Sequence, residues 1–310
     1  MKVYKGLDDL PDFERPVITI GSFDGVHYGH QKLIEKIQSE AKTNQTETVV
    51  ITFDPHPRQI VFPKDKTLQL LSTTEEKIAL FDNFGIDYLV IVPFTVAFSQ
   101  QSADEYIEKF LIEKFHPSVI IIGHDHKFGL SRSGDINFLK WHQEKGDYTV
   151  VEIDAQQISD ITISSTKIRN FLNEGDIVKA NSLLGYHYLL TGEVKHGERI
   201  GHTLGFPTAN IYIANGHKLV PKYGVYASKT TVDGKIYHSM LYIGDRPSYR
   251  HLPNRTIEVN IFDFKEEIYG QDIKVEIVNF IRNDQRFDSQ EELIAQLNKD
   301  KISAVSILQA

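Results

Sequence analysis

Five short stretches in the first half of the chain are apolar with little interruption: Pro16 to Ile20, Thr48 to Phe53, Tyr88 to Val92, Ser118 to Ile122 and Tyr148 to Ile153. Runs of this length, rich in Val and Ile and without alternation, suit strands covered on both faces. Between them the apolar positions recur at helical spacing over Gln31 to Ala41, Thr74 to Phe84, Ala103 to Phe115 and Ile136 to Lys145. Strand and helix in alternation predict a Rossmann-like, doubly wound α/β layer around a parallel sheet. Two short helices, Ser164 to Asn173 with serine caps and Asp176 to Leu184, are expected to close this first domain at residue 185.

From residue 186 to 310 the texture changes. Tyr223 to Thr231, Ile236 to Ile243, Thr256 to Phe264 and Ile273 to Arg282 alternate as half-buried strands do, which predicts an all-β second domain, an antiparallel barrel or sandwich. Asp233-Gly234 separates the first two, and Asp-Gly is favoured where a two-residue hairpin needs positive φ at both positions. Ser289 followed by Glu292, with Leu293, Ile294 and Leu297 on one face, predicts a capped terminal helix over Ser289 to Lys299.

Composition narrows the function. The 310 residues include no cysteine, which removes disulfides, thiolate nucleophiles and cysteine metal sites. The formal charge of -8 has the wrong sign for broad contact with a nucleic-acid backbone. No apolar run approaches the roughly 20 residues that cross a bilayer, and the first residues lack the apolar core of an export signal. A cytoplasmic protein with neither nucleic-acid nor membrane partner is expected; its oligomeric state stays open, with a monomer possible.

The chemistry gathers where the strand ending at Ile20 runs into Gly21-Ser22-Phe23-Asp24-Gly25-Val26-His27-Tyr28-Gly29-His30 and then into a helix. Glycines let backbone approach a ligand closely, and the start of a helix offers free N–H groups and a positive dipole end. His27 and His30, three apart, fall on one side of that helix start, an arrangement suited to a triphosphate and to the charge that nucleotidyl transfer builds on phosphate oxygens. Ile163-Ser164-Ser165-Thr166-Lys167-Ile168-Arg169 puts three hydroxyls and two cations at another helix start, again suited to phosphate.

With these residues in view the chain resembles, over nearly its whole length, the prokaryotic bifunctional riboflavin kinase and FAD synthetase family. Gly21 to His30 resembles the family's HxGH nucleotidyltransferase motif, Thr52-Phe53-Asp54-Pro55-His56-Pro57-Arg58 its flavin loop, and Gly205-Phe206-Pro207-Thr208-Ala209-Asn210 its kinase PTAN motif, preceded by a flap at Gly192 to Gly197. The resemblance implies ATP sites at Gly21, Phe23, Asp24, Gly25, His27, His30, Ser164, Thr166 and Arg169, with flavin at Pro55, Pro57 and Asp125. In the kinase half it implies ATP and Mg²⁺ at Gly205, Pro207, Thr208 and Asn210, the metal on Thr208 and Asn210, a base at Glu258, and flavin at Arg282, Asp284 and Phe287. Riboflavin, FMN and ATP are then substrates, FMN and FAD products, and Glu258, His27 and His30 the catalytic residues.

Several positions depart from the family's usual residues: His126 for an aromatic, Tyr242 for Asn, Ser248 for Thr, Asn260 for His and Asp284 for Glu. They leave three alternatives: a single active half, a flavin-nucleotide sensor or store without turnover, and a nucleotidyltransferase for another phosphorylated metabolite.

Overall fold

The computed structural model describes residues 1–65, 67–123, 126–144, 146–153, 163–197, 201, 204–245 and 255–309. Asp125 and the Pro247-Ser248 pair lie outside them. The chain forms two compact units, Met1–Ser164 and Ser165–Ala310.

The first unit is built on β1 (Lys2–Lys5), β2 (Val17–Ile20), β3 (Thr48–Asp54), β4 (Tyr88–Pro93), β5 (Val119–Gly123) and β6 (Thr149–Ile153). All pairs are parallel, in the order β1-β4-β3-β2-β5-β6. Every residue of β2 is buried, and β3, β4 and β5 are buried up to their last residue, as unalternated apolar runs require. The chain winds from β2 through β3 to β4, then returns to place β5 on the other side of β2. The carboxyl ends of β2 and β5 therefore flank the point where strand order reverses, which is where open α/β sheets hold ligands.

Helices α1 (Tyr28–Asn44), α2 (Pro57–Val61), α3 (Thr74–Asn83), α4 (Val96–Ser99), α5 (Ala103–Glu105), α6 (Glu113–Phe115) and α7 (Ile136–Gln143) fill the connections. Ala103 to Phe115 is helical as its spacing predicts, but Tyr106–Ile112 winds as a π-helix between α5 and α6. The wider turn keeps Tyr106, Ile107, Phe110 and Leu111 buried.

The second unit opens with α8 (Ser165–Glu174) and α9 (Ile177–Leu184). The division falls ahead of the boundary expected at residue 185 because these helices pack with the unit that follows: the Asn181 amide donates to the Ile277 carbonyl at 2.9 Å, and the Lys222 N–H to that of Leu172 at 3.1 Å. Strands β7 (Tyr188–Lys195), β8 (Ala209–Tyr212), β9 (Gly224–Val232), β10 (Lys235–Asp245), β11 (Arg255–Ile261) and β12 (Asp272–Asn283) close an antiparallel barrel in the order β10-β11-β8-β7-β12-β9. Asp233 and Gly234 turn β9 into β10 with φ of 47° and 76°, both positive as the hairpin demands. The terminal helix α10 (Gln290–Gln309) runs ten residues past its expected end and lays Ile294, Leu297, Val305 and Leu308 against Phe206, Ala227, Met240 and Phe262.

Candidate functional sites

At the end of β2 the backbone leaves the sheet through a tight loop in which Phe23, Gly25 and Val26 all take positive φ, at 47°, 82° and 36°. An aromatic and a β-branched residue in the left-handed region are held there only when their surroundings over-determine them, a pattern that concentrates at ligand sites. Gly21 permits the fold-back, since a Cβ there would stand 3.3 Å from the Phe23 ring. Buried Asp24 accepts N–H bonds from Leu71 at 2.8 Å and Ser72 at 3.2 Å, and Gly25 donates to the Ser72 hydroxyl at 3.0 Å.

His27 caps α1, its Nδ1 accepting from the His30 N–H at 3.4 Å. An accepting Nδ1 places the proton of the neutral ring on Nε2, leaving that nitrogen as a donor. The two imidazoles stack with centroids 3.7 Å apart and planes 12° from parallel, and Phe23 meets His30 edge-on at 5.1 Å. Burial above all, then His27 and Lys77, holds the His30 pKa well below its ordinary value, so this ring is neutral near pH 7. Its Nδ1 is sealed from solvent with no hydrogen-bond partner among the described residues.

The strand beside it ends in the predicted flavin loop. Pro55 is exposed and follows a cis Asp54-Pro55 bond, while Pro57 is half-buried at the first position of α2, which His56 and Gln59 cap reciprocally. The two loops are laced together: Thr52 Oγ1 donates to the Ser22 carbonyl at 3.2 Å. Ser164 ends the first unit; exposed Thr166 and half-buried Arg169 lie on α8 in the second.

In the barrel, Glu258 on β11 pairs directly with Asn210 on β8, so both side chains and Thr208 share one face. Thr208 Oγ1 donates to Glu258 Oε2 and Thr256 Oγ1 to Oε1, each at 3.1 Å. Thr256, two residues before Glu258, was overlooked in the sequence, although period-two spacing puts it on the same face. Two glycines approach closely: a Cβ on Gly197, at the end of the flap, would lie 2.2 Å from the Asn210 amide nitrogen, and one on Gly201 3.2 Å from Thr208 Oγ1. Asn260 donates to the Pro207 carbonyl at 2.6 Å and so fixes the start of the PTAN segment, with exposed Gly205 just before it at φ 79°.

Tyr242 on β10 stands opposite Glu258 of β11 in register and donates its hydroxyl to Asp284 at 3.1 Å. A Cβ on Gly244 would clash with that phenol, so glycine two residues on makes room for the ring. Burial, then Asp284, pushes the Tyr242 pKa upward. Arg282 is committed elsewhere: its guanidinium grips Asp300 of α10 and lies over the Phe287 ring, 5.7 Å from the centroid.

Hydroxyl, carboxamide and carboxylate oxygens on one face, with a close backbone above them, fit a small hard cation that takes its remaining ligands from phosphate and water. Among the described residues no group of three His, Asp or Glu could hold a metal by itself. A glycine-lined helix start at the switch point of one unit and an oxygen-lined barrel face in the other are two separate arrangements whose chemistry suits phosphate.

Comparison with known proteins also divides the chain in two. The family model for FAD synthetase matches residues 10–167 and that for riboflavin kinase residues 184–308. The bifunctional riboflavin kinase/FMN adenylyltransferase of Listeria monocytogenes is 37% identical, over 95% of this chain and 92% of its own. Those of Bacillus subtilis and Escherichia coli K12 are 36% and 33% identical, covering 94% and 98% of this chain and 92% and 97% of theirs. A solved Streptococcus pneumoniae structure, described as a macrolide-efflux protein, is 28% identical with a TM-score of 0.87 and covers 98% of each chain. The chain belongs to the bifunctional riboflavin kinase/FMN adenylyltransferase family.

Proposed function

We infer that this protein makes flavin nucleotides in two steps, converting riboflavin and ATP to FMN and ADP in its second half, and FMN and ATP to FAD and pyrophosphate in its first. The observation that carries the reading is the retention of both phosphate-handling constellations in a chain that matches both family models. Among the described residues no helix is long and apolar enough to cross a membrane, and the cytoplasm, where ATP is supplied, is the proposed compartment.

In the kinase step the riboflavin hydroxyl attacks the γ-phosphorus of ATP, its proton passes toward Glu258, and the bond to the β-phosphate breaks to release ADP. Thr208 and Asn210 would hold Mg²⁺, which when bound neutralises charge on the phosphates. Thr208 can offer a lone pair to that cation while its proton stays donated to Glu258, so the metal ligand also orients the base. Tyr242 and Asp284, hydrogen-bonded to each other, and Phe287 would meet the flavin.

In the adenylyl step a phosphate oxygen of FMN attacks the α-phosphorus of ATP and pyrophosphate leaves. The Nε2–H of His27 and the N–H groups opening α1 stabilise the charge that develops on the triphosphate. The neutral His30 ring buttresses His27 by stacking. Pro55 and Pro57 border the flavin, and Asp24 braces the loop from beneath.

Purified protein incubated with riboflavin, ATP and Mg²⁺, then separately with FMN, ATP and Mg²⁺, tests this once the flavins are separated by chromatography. FMN in the first mixture and FAD in the second are expected. One product alone would assign a single active half, and flavin binding without turnover would overturn the enzymatic reading.

A further inference from the structure

Lys77 lies on α3, where its helical pattern reads as an ordinary surface lysine, yet it is buried with 6% exposure. Its ammonium reaches the Phe53 carbonyl at 3.2 Å, Thr52 Oγ1 at 3.3 Å and the Ser22 carbonyl at 3.4 Å. Three donors meet three acceptors, drawn from both loops: Ser22 belongs to the glycine-histidine loop after β2, and Thr52 and Phe53 lead into the flavin loop after β3. Thr52 itself donates to the same Ser22 carbonyl, so cation, hydroxyl and carbonyl form one closed knot between the loops.

A buried ammonium carries a large desolvation cost and is retained where its contacts specify a geometry. Burial lowers the Lys77 pKa; Asp24, Asp54 and Glu75, which face it from the loop, the end of β3 and its own helix, oppose that. The same charge is felt by His30. A carbonyl that accepts from below also orients its peptide unit, and Ser22 and Phe53 are the peptides from which the two substrate loops spring.

We propose that Lys77 is a positioning residue for FAD formation, tying the nucleotide loop to the flavin loop so that the attacking phosphate of FMN and the α-phosphate of ATP meet in register. The inference rests on the adenylyltransferase reading of the first half. It assigns Lys77 no contact with either substrate: each loop can still bind its own ligand when the tie is cut, but the two ligands are no longer aligned.

The test compares wild type, Lys77→Met, Lys77→Arg and Thr52→Val in steady-state kinetics of both reactions. Lys77→Met is expected to lower kcat for FAD formation about a hundredfold, the scale of a 1 Å misplacement of reacting groups, with the KM values for FMN and ATP changed little. FMN formation from riboflavin by the same molecules stays at the wild-type rate and shows the effect confined to the first unit, whose folding the unchanged KM values for FMN and ATP report. Lys77→Arg, which keeps charge and donors, restores part of the loss, and Thr52→Val, which removes one strand of the knot, gives a smaller loss. Unchanged kcat in Lys77→Met, a rise in KM with kcat intact, or equal failure of Arg and Met would overturn the proposal. Absence of FAD formation in the wild type would instead overturn the reading beneath it.

Discussion

Thr208 donates its hydroxyl to Glu258 across 3.1 Å, joining the proposed metal ligand to the proposed base. Both carboxylate oxygens accept from threonine hydroxyls, Thr256 holding the other at 3.1 Å, so the carboxylate is fixed in rotation before substrate arrives. Glu258→Ala should lower riboflavin phosphorylation by about a hundred- to ten-thousandfold, the usual share of a positioned base. The same variant should convert supplied FMN to FAD at the wild-type rate. Undiminished phosphorylation would remove Glu258 from the mechanism.

His30 makes the reciprocal case. Its ring is stacked 3.7 Å from His27, so truncation removes a wall of the site and the packing that holds the His27 ring, while the backbone N–H of residue 30 still caps to His27 Nδ1. His30→Ala should cost FAD formation about a hundredfold or more, comparable to losing a charge-stabilising donor, while FMN formation from riboflavin persists. Loss of both activities would show that the halves depend on one another.

What could be read in advance followed local rules. The parallel strands announced themselves because burial on both faces leaves no alternation to misread, and Asp233-Gly234 because few other pairs tolerate two positive φ values. Strand β1 escaped because Lys2–Lys5 is a polar edge strand with one half-buried residue, defined by its pairing to Tyr88 to Ile91 and not by its own pattern. Strand β8, four residues with a single buried one, escaped for the same reason. The HxGH and PTAN segments were legible as motifs, but the hydrogen bonds that aim them are long-range. Lys77 reaches Ser22 from 55 positions away, and no spacing along α3 distinguishes it from a solvated lysine.

Arg282 was expected at the flavin, and its nearest commitment is structural. Nε reaches Asp300 Oδ1 and Oδ2 at 2.9 and 3.0 Å, Nη2 reaches Oδ2 at 2.7 Å, and Gln296 donates to Oδ1 at 2.8 Å. The pair is largely dry, with side-chain exposures of 16% and 1%. Removing one partner strands the other, so Asp300→Ala should destabilise the second unit by about 3–5 kcal/mol. Heat inactivation of FMN formation, followed at a series of temperatures, should shift downward by several degrees. Because Arg282 also lies over Phe287, riboflavin KM should rise in the folded variant. Wild-type heat resistance would mean that α10 is held by its apolar face alone.

Glu276 supplies the pH dependence. His187, at 3.7 Å, and the closer Lys274, at 2.8 Å, lower its pKa from 4.5 to about 2. A carboxylate depressed in the folded state stabilises it fully above the unfolded pKa, and that stability drains away as pH falls through the folded value. The window therefore runs from about pH 4.5 down to pH 2. With Glu276 partly open to solvent, the stabilisation at neutral pH is on the order of 1–2 kcal/mol after screening. Urea midpoints, followed by a probe confined to the second unit, should place Glu276→Gln below wild type at pH 7. The two curves should converge as pH drops toward 2, and a gap that stayed constant across that range would assign the loss to packing and not to charge.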